Sequence, residues 1–273
     1  MKHTPATLAA LAILSTSAFA DKLTIDGSTT VGPIAKAIAE AYMKADKTAD
    51  ISVSESGSGN GAKALLNGAC DIAALSRPLK DSEETAMKEK GVDPVKKVVA
   101  FDAICIVAHP SNKVKELTVA QLKSIYTGEV TNWKDLGGFD APILVISREA
   151  NSGTAETFKE MVLGAEAKIV DTAEFAGSNG AVRQRVASTK GAIAYVGLGF
   201  IDRTVKAMTI AGVDPSAQTV ADGKYPLSRE LFMFTNGAPA ADSTAAKFYA
   251  AIDSKEGRKT ITELGFVPVP ETK

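Results

Sequence analysis

Apolar and polar positions in the first third of the chain alternate between the spacing of a strand and the spacing of a helix. Residues 23–25, 51–54 and 72–75 form short apolar or alternating runs, and residues 34–44 and 62–67 repeat apolar side chains at helical intervals. In chain order, these runs predict a β-α-β-α-β unit. Such a unit implies a parallel sheet with helices on its faces.

The rest of the chain continues the alternation and contains one long apolar run. Residues 98–108 are rich in β-branched side chains and exceed the length of an average strand, which favours a strand that crosses between two lobes. Residues 225–234 predict a second crossing. We therefore predict an α/β protein whose first lobe is formed by residues 21–107 and 232–273 and whose second lobe is formed by residues 108–231. Further strands are predicted at 143–147 and 193–196, and helices at 118–126, 152–162, 181–188, 243–252 and 254–264.

The N-terminus has the three-part pattern of an export signal. Lys2 is followed by an apolar stretch at residues 8–14, and Ala18 and Ala20 place small side chains at the two positions that a signal peptidase reads. We expect residues 1–20 to be a signal peptide, cleavage after Ala20, and a periplasmic mature protein. The alternative is an ordinary N-terminal helix. No later stretch of the sequence reaches the ~20 apolar residues that a membrane-spanning helix needs.

Charge, cysteine and histidine content narrow the function classes. The formal net charge is −1, which argues against a nucleic-acid partner because such proteins present a basic face. Cys70 and Cys105 lack the spacing of metal ligands, and no metal site is predicted. The two thiols either form a disulfide, which an oxidising compartment allows, or remain two buried free thiols. His109 is the only histidine after the signal, and no nucleophile elbow or Walker loop occurs, so neither an enzyme nor a cofactor is predicted.

Three turns rich in hydroxyl groups and glycine lead directly into predicted helices. They span residues 27–33, 56–61 and 148–154. The start of a helix presents backbone N–H groups without intrahelical partners, and hydroxyl groups beside them add donors. Arg148, four residues before Ser152, can hold two oxygens with one planar guanidinium. Because two turns belong to the first predicted lobe and one to the second, we expect them to enclose a tetrahedral oxyanion in a cleft at the carboxyl ends of the strands.

Each of these features alone has a simpler interpretation. Hydroxyl residues at helix starts commonly cap surface helices, and an isolated arginine such as Arg148 commonly pairs with a surface acid. Ser76 and Arg77 follow the strand at residues 72–75, where they suit the same site but also suit an ordinary loop before Pro78. The joint occurrence of the three turns favours the anion site.

Five sequence motifs carry a resemblance to a known family. They are G-S-T-T-V-G-P at 27–33, S-G-S-G-N-G-A-K at 56–63, D-I-A-A-L-S-R-P-L at 71–79, R-E-A-N-S-G-T at 148–154 and G-A-I-A-Y-V-G at 191–197. With these motifs the chain resembles the periplasmic phosphate-binding proteins that serve ABC importers. The resemblance covers essentially the whole mature chain and implies an α/β, two-lobed type II periplasmic binding-protein fold with the ligand cleft between the lobes. It also implies a monomer that binds inorganic phosphate without metal and has the membrane permease of an ABC importer as its partner.

The resemblance assigns phosphate contacts to the three turns and to the loop after the third strand. The implied contact residues are Ser28, Thr29, Thr30, Ser58, Ser76, Arg77, Arg148, Ser152, Gly153 and Thr154. Thr29 and Thr30 are expected to donate through their hydroxyls and through free backbone N–H groups at residues 29–31. Arg77 is expected to add charge for a dianion if it points inward.

One position departs from the family pattern. Well-known members have an aspartate that accepts a proton from the ligand where this chain has Ser76. A hydroxyl both donates and accepts, so the site lacks the sharpest means of rejecting sulfate, which has no proton to give. Sulfate or another tetrahedral oxyanion is therefore the alternative ligand, and a secreted phosphatase is the alternative function.

Overall fold

The computed structural model describes residues 22–271. The predicted signal peptide and its cleavage point after Ala20 lie outside the described residues. Within the described range, no helix combines the length and the apolar character that crossing a membrane requires.

Strands and helices alternate along the chain, largely as the apolar pattern predicts. The strands are β1 (Lys22–Gly27), β2 (Asp50–Ser54), β3 (Ile72–Leu75), β4 (Pro94–Ala108), β5 (Glu116–Leu117), β6 (Leu144–Arg148), β7 (Glu174–Ala176), β8 (Ala192–Gly197), β9 (Lys206–Ala207), β10 (Thr209–Ile210), β11 (Ser228–Asn236) and β12 (Val267–Pro268). The α-helices are α1 (Gly32–Ala45), α2 (Ser58–Leu66), α3 (Asp81–Glu89), α4 (Val119–Tyr126), α5 (Gly153–Phe158), α6 (Asn179–Ala187), α7 (Ala217–Ala221), α8 (Thr244–Asp253) and α9 (Lys255–Glu263). Short 3₁₀ helices occur at Trp133–Leu136 and Leu198–Phe200, and α5 continues as a π-helical turn at Lys159–Leu163.

One mixed sheet runs through the molecule in the order β2-β1-β3-β11-β4-β8-β6-β7. The pairs β1–β2 and β1–β3 are parallel, as the β-α-β-α-β pattern of the first third predicts, and the pairs β6–β8 and β6–β7 are parallel as well. The two central strands, β11 and β4, are antiparallel to their neighbours. All four residues of β3 are buried, because helices cover both faces of the parallel part.

The long strand β4 joins the two parts of the sheet. Its residues up to Ala103 pair with β11 and β12, whereas its residues from Ile104 onward pair with β8 and β9. We call β2, β1, β3, β11 and the first part of β4 the first half-sheet, and the second part of β4 with β8, β6 and β7 the second half-sheet. β11 pairs only with strands of the first half-sheet among the described residues. The predicted lobe boundaries after residues 107 and 231 stay predictions.

Several elements differ from their sequence prediction: β4 begins at Pro94 rather than at residue 98, and α7 and the short strands β5, β7, β9, β10 and β12 were not predicted. α2 begins at Ser58 rather than at residue 62, because Gly57 has φ +100° and its carbonyl accepts the N–H groups of Asn60 and Gly61. α3 was not predicted, since Met87 is its only buried residue and gives no apolar repeat. β11 begins at Ser228 rather than at residue 225.

Each half-sheet has its own apolar core. Ile25, Ile34 and Phe248 belong to the core that covers the first half-sheet, and Tyr126 and Trp133 belong to the core that covers the second. Separate cores are what a fold of two lobes requires.

The two cysteines do not form a disulfide. Cys70 and Cys105 are free, and they are buried in different apolar clusters. Of the two alternatives left open by the sequence, the structure has the pair of buried thiols.

Candidate functional site

The predicted site residues meet where the carboxyl ends of the strands of the two half-sheets face each other. Thr29 and Thr30 lie between β1 and α1, Ser76 follows β3, and Arg148 ends β6. All ten predicted residues are buried, and none of the nine with a side chain is more than 7 % exposed. A cluster of polar side chains is costly to bury unless its members are hydrogen-bonded to one another or to a ligand.

The first turn is shaped by Gly27 and stabilised by Ser28. Gly27 has φ +136°, and a Cβ there would lie 2.2 Å from the carbonyl oxygen of Ala74. The Ser28 Oγ accepts the backbone N–H groups of Thr30 at 3.0 Å and of Val31 at 3.3 Å. The expectation that these two N–H groups are free is therefore wrong. In this structure the turn offers the hydroxyls of its threonines instead.

Ser58 and Ser76 lie against each other at the start of α5. Their Oγ atoms are 3.2 Å apart, and Ser58 Oγ also accepts the backbone N–H of Ser76 at 3.1 Å. A Cβ on Gly153 would lie 2.5 Å from Ser58 Oγ and 2.8 Å from Ser76 Oγ. Only glycine permits this approach between the second turn, the loop after β3 and the first residue of α5.

Arg148 is held in the cleft by carbonyl oxygens rather than by a carboxylate. Its Nε donates to the carbonyl of Ala176 at 2.9 Å, and its Nη2 donates to the carbonyl of Gly177 at 2.9 Å and to Oγ1 of Thr29 at 3.2 Å. Its Nη1 is buried and has no hydrogen-bond partner within residues 22–271. Burial lowers the pKa of Arg148 to about 10, so the guanidinium is still a cation at neutral pH.

The start of α5 places the third turn beside the first. Ser152 is the N-cap, and its Oγ accepts the backbone N–H of Ala155 at 3.3 Å. The Oγ1 of Thr154 lies 3.2 Å from that of Thr30. The structure thus brings nine of the ten predicted residues into one cluster that spans both half-sheets.

Arg77 is the predicted residue whose charged group is directed elsewhere. Its Nη1 and Nη2 each donate to a different oxygen of the Glu83 carboxylate at 2.7 Å, and its Nε lies 2.7 Å from Oε2 of Glu156. Lys80 Nζ is 2.8 Å from the same oxygen of Glu156. Glu156 lies in α5, so this group of charges, which we call the cleft ion cluster, joins the loop after β3 to the second half-sheet.

Arg229 and Asp102 belong to the cluster but were not predicted. Arg229 donates through Nη1 to the carbonyl of Ser76 at 3.1 Å and through Nη2 to Oγ1 of Thr30 at 3.4 Å. Its Nε and Nη2 also pair with Oδ2 of Asp102. Asp102 interrupts the long apolar run of β4, which is a sequence signal for a buried functional charge, whereas Arg229 stands between Ser228 and Glu230 and gives no such signal.

Asn179 is the third residue that sequence reasoning missed. Its Nδ2 donates to Oγ1 of Thr29 at 3.1 Å and to Oγ1 of Thr30 at 3.0 Å. The predicted helix at residues 181–188 begins just after the motif that contains Asn179, residues 177–180. The small hydroxyl- and glycine-containing sequence of this motif resembles the other three turns, and that likeness is the signal that could have found it.

The buried charges leave the cluster positive. Arg148 and Arg229 supply two cations, and Asp102 supplies one carboxylate. Burial raises the pKa of Asp102, and the paired Arg229 opposes that rise. Within the described part of the chain, no group of three or more His, Cys, Asp or Glu could hold a metal ion. Hydroxyls, N–H groups and one surplus guanidinium suit a compact oxyanion.

Comparison with known proteins places the chain in a family. Residues 15–251 match the model of the PBP superfamily domain. The phosphate-binding protein PstS of Bacillus subtilis is 35% identical over 257 residues, covering 92% of this chain and 82% of the relative. Protein SphX of Synechococcus elongatus is 33% identical, covering 91% of this chain and 77% of the relative.

Solved structures give the same result. A phosphate-bound ABC transporter substrate-binding protein from Clostridium perfringens superposes with a TM-score of 0.84 at 32% identity, covering 91% of this chain and all of the other. An ABC-type phosphate transport receptor from Vibrio cholerae superposes with a TM-score of 0.74, also at 32% identity and 91% of this chain. The expected two-lobed type II periplasmic binding-protein fold is confirmed. The chain belongs to the PBP superfamily and, within it, to the family of the PstS phosphate-binding proteins.

Proposed function

We propose that this protein is an exported solute-binding protein that encloses inorganic phosphate between its two lobes and delivers it to the membrane permease of an ABC importer. The relatives support this, because PstS proteins are phosphate-binding proteins by name and the related Clostridium perfringens structure holds phosphate. We further propose that it acts in the periplasm as a monomer after cleavage behind Ala20, and that it binds phosphate without turning over a substrate.

The observation that carries the proposal is the state of Arg148. Among residues 22–271, Arg148 forms no salt bridge and its buried Nη1 has no hydrogen-bond partner, so this guanidinium needs an anion beside it. A phosphate oxygen at Nη1 provides that anion and completes the hydrogen bonds of the group. The proposed contacts are Ser28, Thr29, Thr30, Ser58, Ser76, Arg148, Ser152, Gly153 and Thr154, without Arg77.

Ligand capture requires the cleft to open and close. Direct contacts join the half-sheets around the site: Gly59 donates its backbone N–H to the carbonyl of Asn151 at 3.0 Å, and Asn151 Nδ2 donates to the carbonyl of Ser56 at 2.8 Å. An ion enclosed behind these contacts leaves only when they break. We propose that the lobe of residues 21–107 with 232–273 and the lobe of residues 108–231 hinge about β4 and the chain near residue 231.

Sulfate is the second candidate ligand. It is favoured by the serine at position 76, where a carboxylate would have rejected an oxyanion without a proton. Asp102, the carboxylate of the cluster, has both oxygens occupied, Oδ2 by Arg229 and Oδ1 by the backbone N–H of Leu198. Among the described residues, no fixed carboxylate of the cluster is therefore left to reject an oxyanion that lacks a proton.

Isothermal titration calorimetry of phosphate-stripped protein tests the function. We expect saturable phosphate binding, and we expect the Arg148→Ala, Ser152→Ala double variant to lose at least about a hundredfold in affinity, since each lost charge-assisted hydrogen bond costs about 1.5–3 kcal/mol. The matched control is Arg185→Ala with Ser188→Ala, an exposed arginine on α6 and the exposed serine that follows its last residue. No saturable heat with wild type overturns the function, and unchanged affinity of the double variant overturns the site. Competition with sulfate ranks the two ions, and turnover of a chromogenic phosphate ester would instead indicate a phosphatase.

A further inference from the structure

The two threonine hydroxyls of the first turn have both of their acceptor positions filled. Oγ1 of Thr29 accepts from Nδ2 of Asn179 at 3.1 Å and from Nη2 of Arg148 at 3.2 Å. Oγ1 of Thr30 accepts from the same amide at 3.0 Å and from Nη2 of Arg229 at 3.4 Å. A hydroxyl oxygen has two lone pairs and one proton. Toward any further group, each threonine hydroxyl can therefore act only as a donor.

The orientation of the Asn179 amide is fixed by the backbone. Its Oδ1 accepts the N–H of Gly197 at 3.1 Å, and the side chain is fully buried. A backbone N–H can only donate, so the amide oxygen must face Gly197 and the amide nitrogen must face the two threonines. Asn179 begins α6, which packs on the second half-sheet. It thereby determines that two hydroxyls of the first half-sheet act as hydrogen-bond donors.

The direction of the hydrogen bond that crosses the cleft to the third turn is fixed in the same way. Since the acceptor positions of Thr30 are filled, Thr30 is the donor in its 3.2 Å contact with Oγ1 of Thr154, and the same proton can turn to a ligand oxygen. Thr154 then accepts and directs its own proton elsewhere. The Ser58–Ser76 pair differs, because either hydroxyl can donate in their 3.2 Å contact. When Ser76 donates to Ser58, the lone pairs of Ser76 Oγ are open to a ligand proton.

We propose that Asn179 is a specificity-determining residue of the anion site. By holding Thr29 and Thr30 as donors, it prevents two hydroxyls of the site from accepting a ligand proton and so favours oxyanions that carry at most one proton, with Ser76 as the acceptor for that proton. The inference rests on the proposed phosphate function and deepens it. The phosphate dianion is bound in preference to the monoanion with two protons, and sulfate is accepted because Ser58 and Ser76 can both reorient as donors.

Other groups that face the cluster can contribute to pH dependence. Arg148 on β6, Arg229 on β11, Asp102 on β4 and Tyr195 on β8 are the charged or titratable groups packed around the hydroxyls. Burial raises the pKa of Tyr195 to about 12 and lowers that of Arg148 to about 10, which places both outside the neutral range. Burial also raises the pKa of Asp102. Sulfate does not change its protonation near neutral pH, so its binding reports the protein groups alone.

The test is calorimetry with phosphate and with sulfate on both sides of the second ionisation of phosphate. For wild type we expect phosphate affinity to fall about tenfold per pH unit on the acid side, as the dianion fraction falls, and sulfate affinity to stay level. In the Asn179→Asp variant, the carboxylate accepts the hydroxyl protons of Thr29 and Thr30. A lone pair of each threonine then faces the ligand. We expect this variant to lose at least about tenfold in sulfate affinity and to lose the acid-side fall for phosphate. An acidic residue in the first turn of a helix is favourable, and the melting temperature checks that the variant folds.

Two further variants sharpen the result. Ser76→Ala removes the proposed proton acceptor, and we expect it to reduce phosphate affinity about tenfold more than sulfate affinity. Asn67→Asp, the same chemical change at the exposed far end of α2, serves as the control and should leave both affinities unchanged. The inference is overturned by a wild-type protein that binds phosphate equally on both sides of the ionisation, or by an Asn179→Asp variant with the wild-type pH profile and ion ratio. A wild type that binds neither ion overturns the proposed function, and this inference with it.

Discussion

Arg229 and Asp102 face each other across neighbouring antiparallel strands and form a buried ion pair. Nε and Nη2 of Arg229 lie 3.0 and 2.8 Å from Oδ2 of Asp102, and the two residues are register partners in β11 and β4. Oδ1 of Asp102 accepts the N–H of Leu198 at 2.8 Å, directly after β8. The pair therefore connects both half-sheets at the point where β4 changes partners. Arg229 also donates hydrogen bonds to Thr30 and Ser76.

Removing one partner of this pair should destabilise the protein strongly. Asp102→Asn leaves the Arg229 charge buried without compensation, and we expect the free energy of unfolding to fall by roughly 3–5 kcal/mol. Urea unfolding followed by circular dichroism measures the change. Asp253→Asn, at an aspartate that is 54% exposed and pairs with Lys97, is the control and should change the same quantity by less than about 1 kcal/mol. Equal losses in the two variants would contradict the structural role of the buried pair.

A methyl group on Gly153 should weaken ligand binding. Its Cβ would lie 2.5 Å from Ser58 Oγ, so the start of α5 has to move away from the serine pair. We expect Gly153→Ala to weaken phosphate binding by at least about tenfold in calorimetry, because ligand contacts lose their geometry. Gly180→Ala, in the first turn of α6, meets nothing closer than 3.9 Å and should bind as wild type does. The prediction fails if both alanine variants keep wild-type affinity.

The cleft ion cluster should slow ligand release. Glu156→Gln removes the partner that Arg77 and Lys80 share across the cleft, and we expect a rise in Kd of about fivefold, which corresponds to about 1 kcal/mol. Stopped-flow measurement should assign this rise to faster dissociation, and the variant should respond less than wild type to added salt. Glu174→Gln breaks the Glu174–Arg185 pair within the second half-sheet and should change neither quantity. An identical salt response of wild type and Glu156→Gln would exclude the proposed role in closure.

Buried tyrosines should make the fold sensitive to alkali. Burial raises the pKa of Tyr195 to about 12, whereas an unfolded tyrosine ionises near 10. Between these pH values the unfolded chain releases a proton that the folded chain keeps, so linkage lowers stability as pH rises through that window. We expect Tyr195→Phe to reduce the slope of unfolding free energy against pH by up to about 1.4 kcal/mol per unit there. Loss of the Tyr195 hydrogen bond to Ser147 shifts the whole curve and leaves the slope alone, so an unchanged slope would refute the assignment.

The apolar pattern predicts most of the fold because buried strands and amphipathic helices leave clear periods. It does not predict α3, whose single buried residue, Met87, leaves no period to detect. The hydroxyl-rich turns and the loop after the third strand predict where nine of the ten site residues gather, since strand ends and helix starts are local features. Which way a long side chain turns depends on partners distant in sequence. Arg77 meets Glu156, and Arg229 meets Asp102, and no local pattern contains those pairings.

Because both of its free cysteines are buried, the protein allows selective labelling of a cysteine introduced at a chosen surface position. Burial raises the pKa of Cys70 to about 12 and that of Cys105 well above its usual range, and the reactive thiolate is therefore scarce at both. A cysteine introduced on the surface, for example at Lys80 on the rim of the cleft, would then be the thiol that a maleimide dye modifies. A dye at that position would sit beside Glu156 when the lobes meet, and its emission would follow closure in real time.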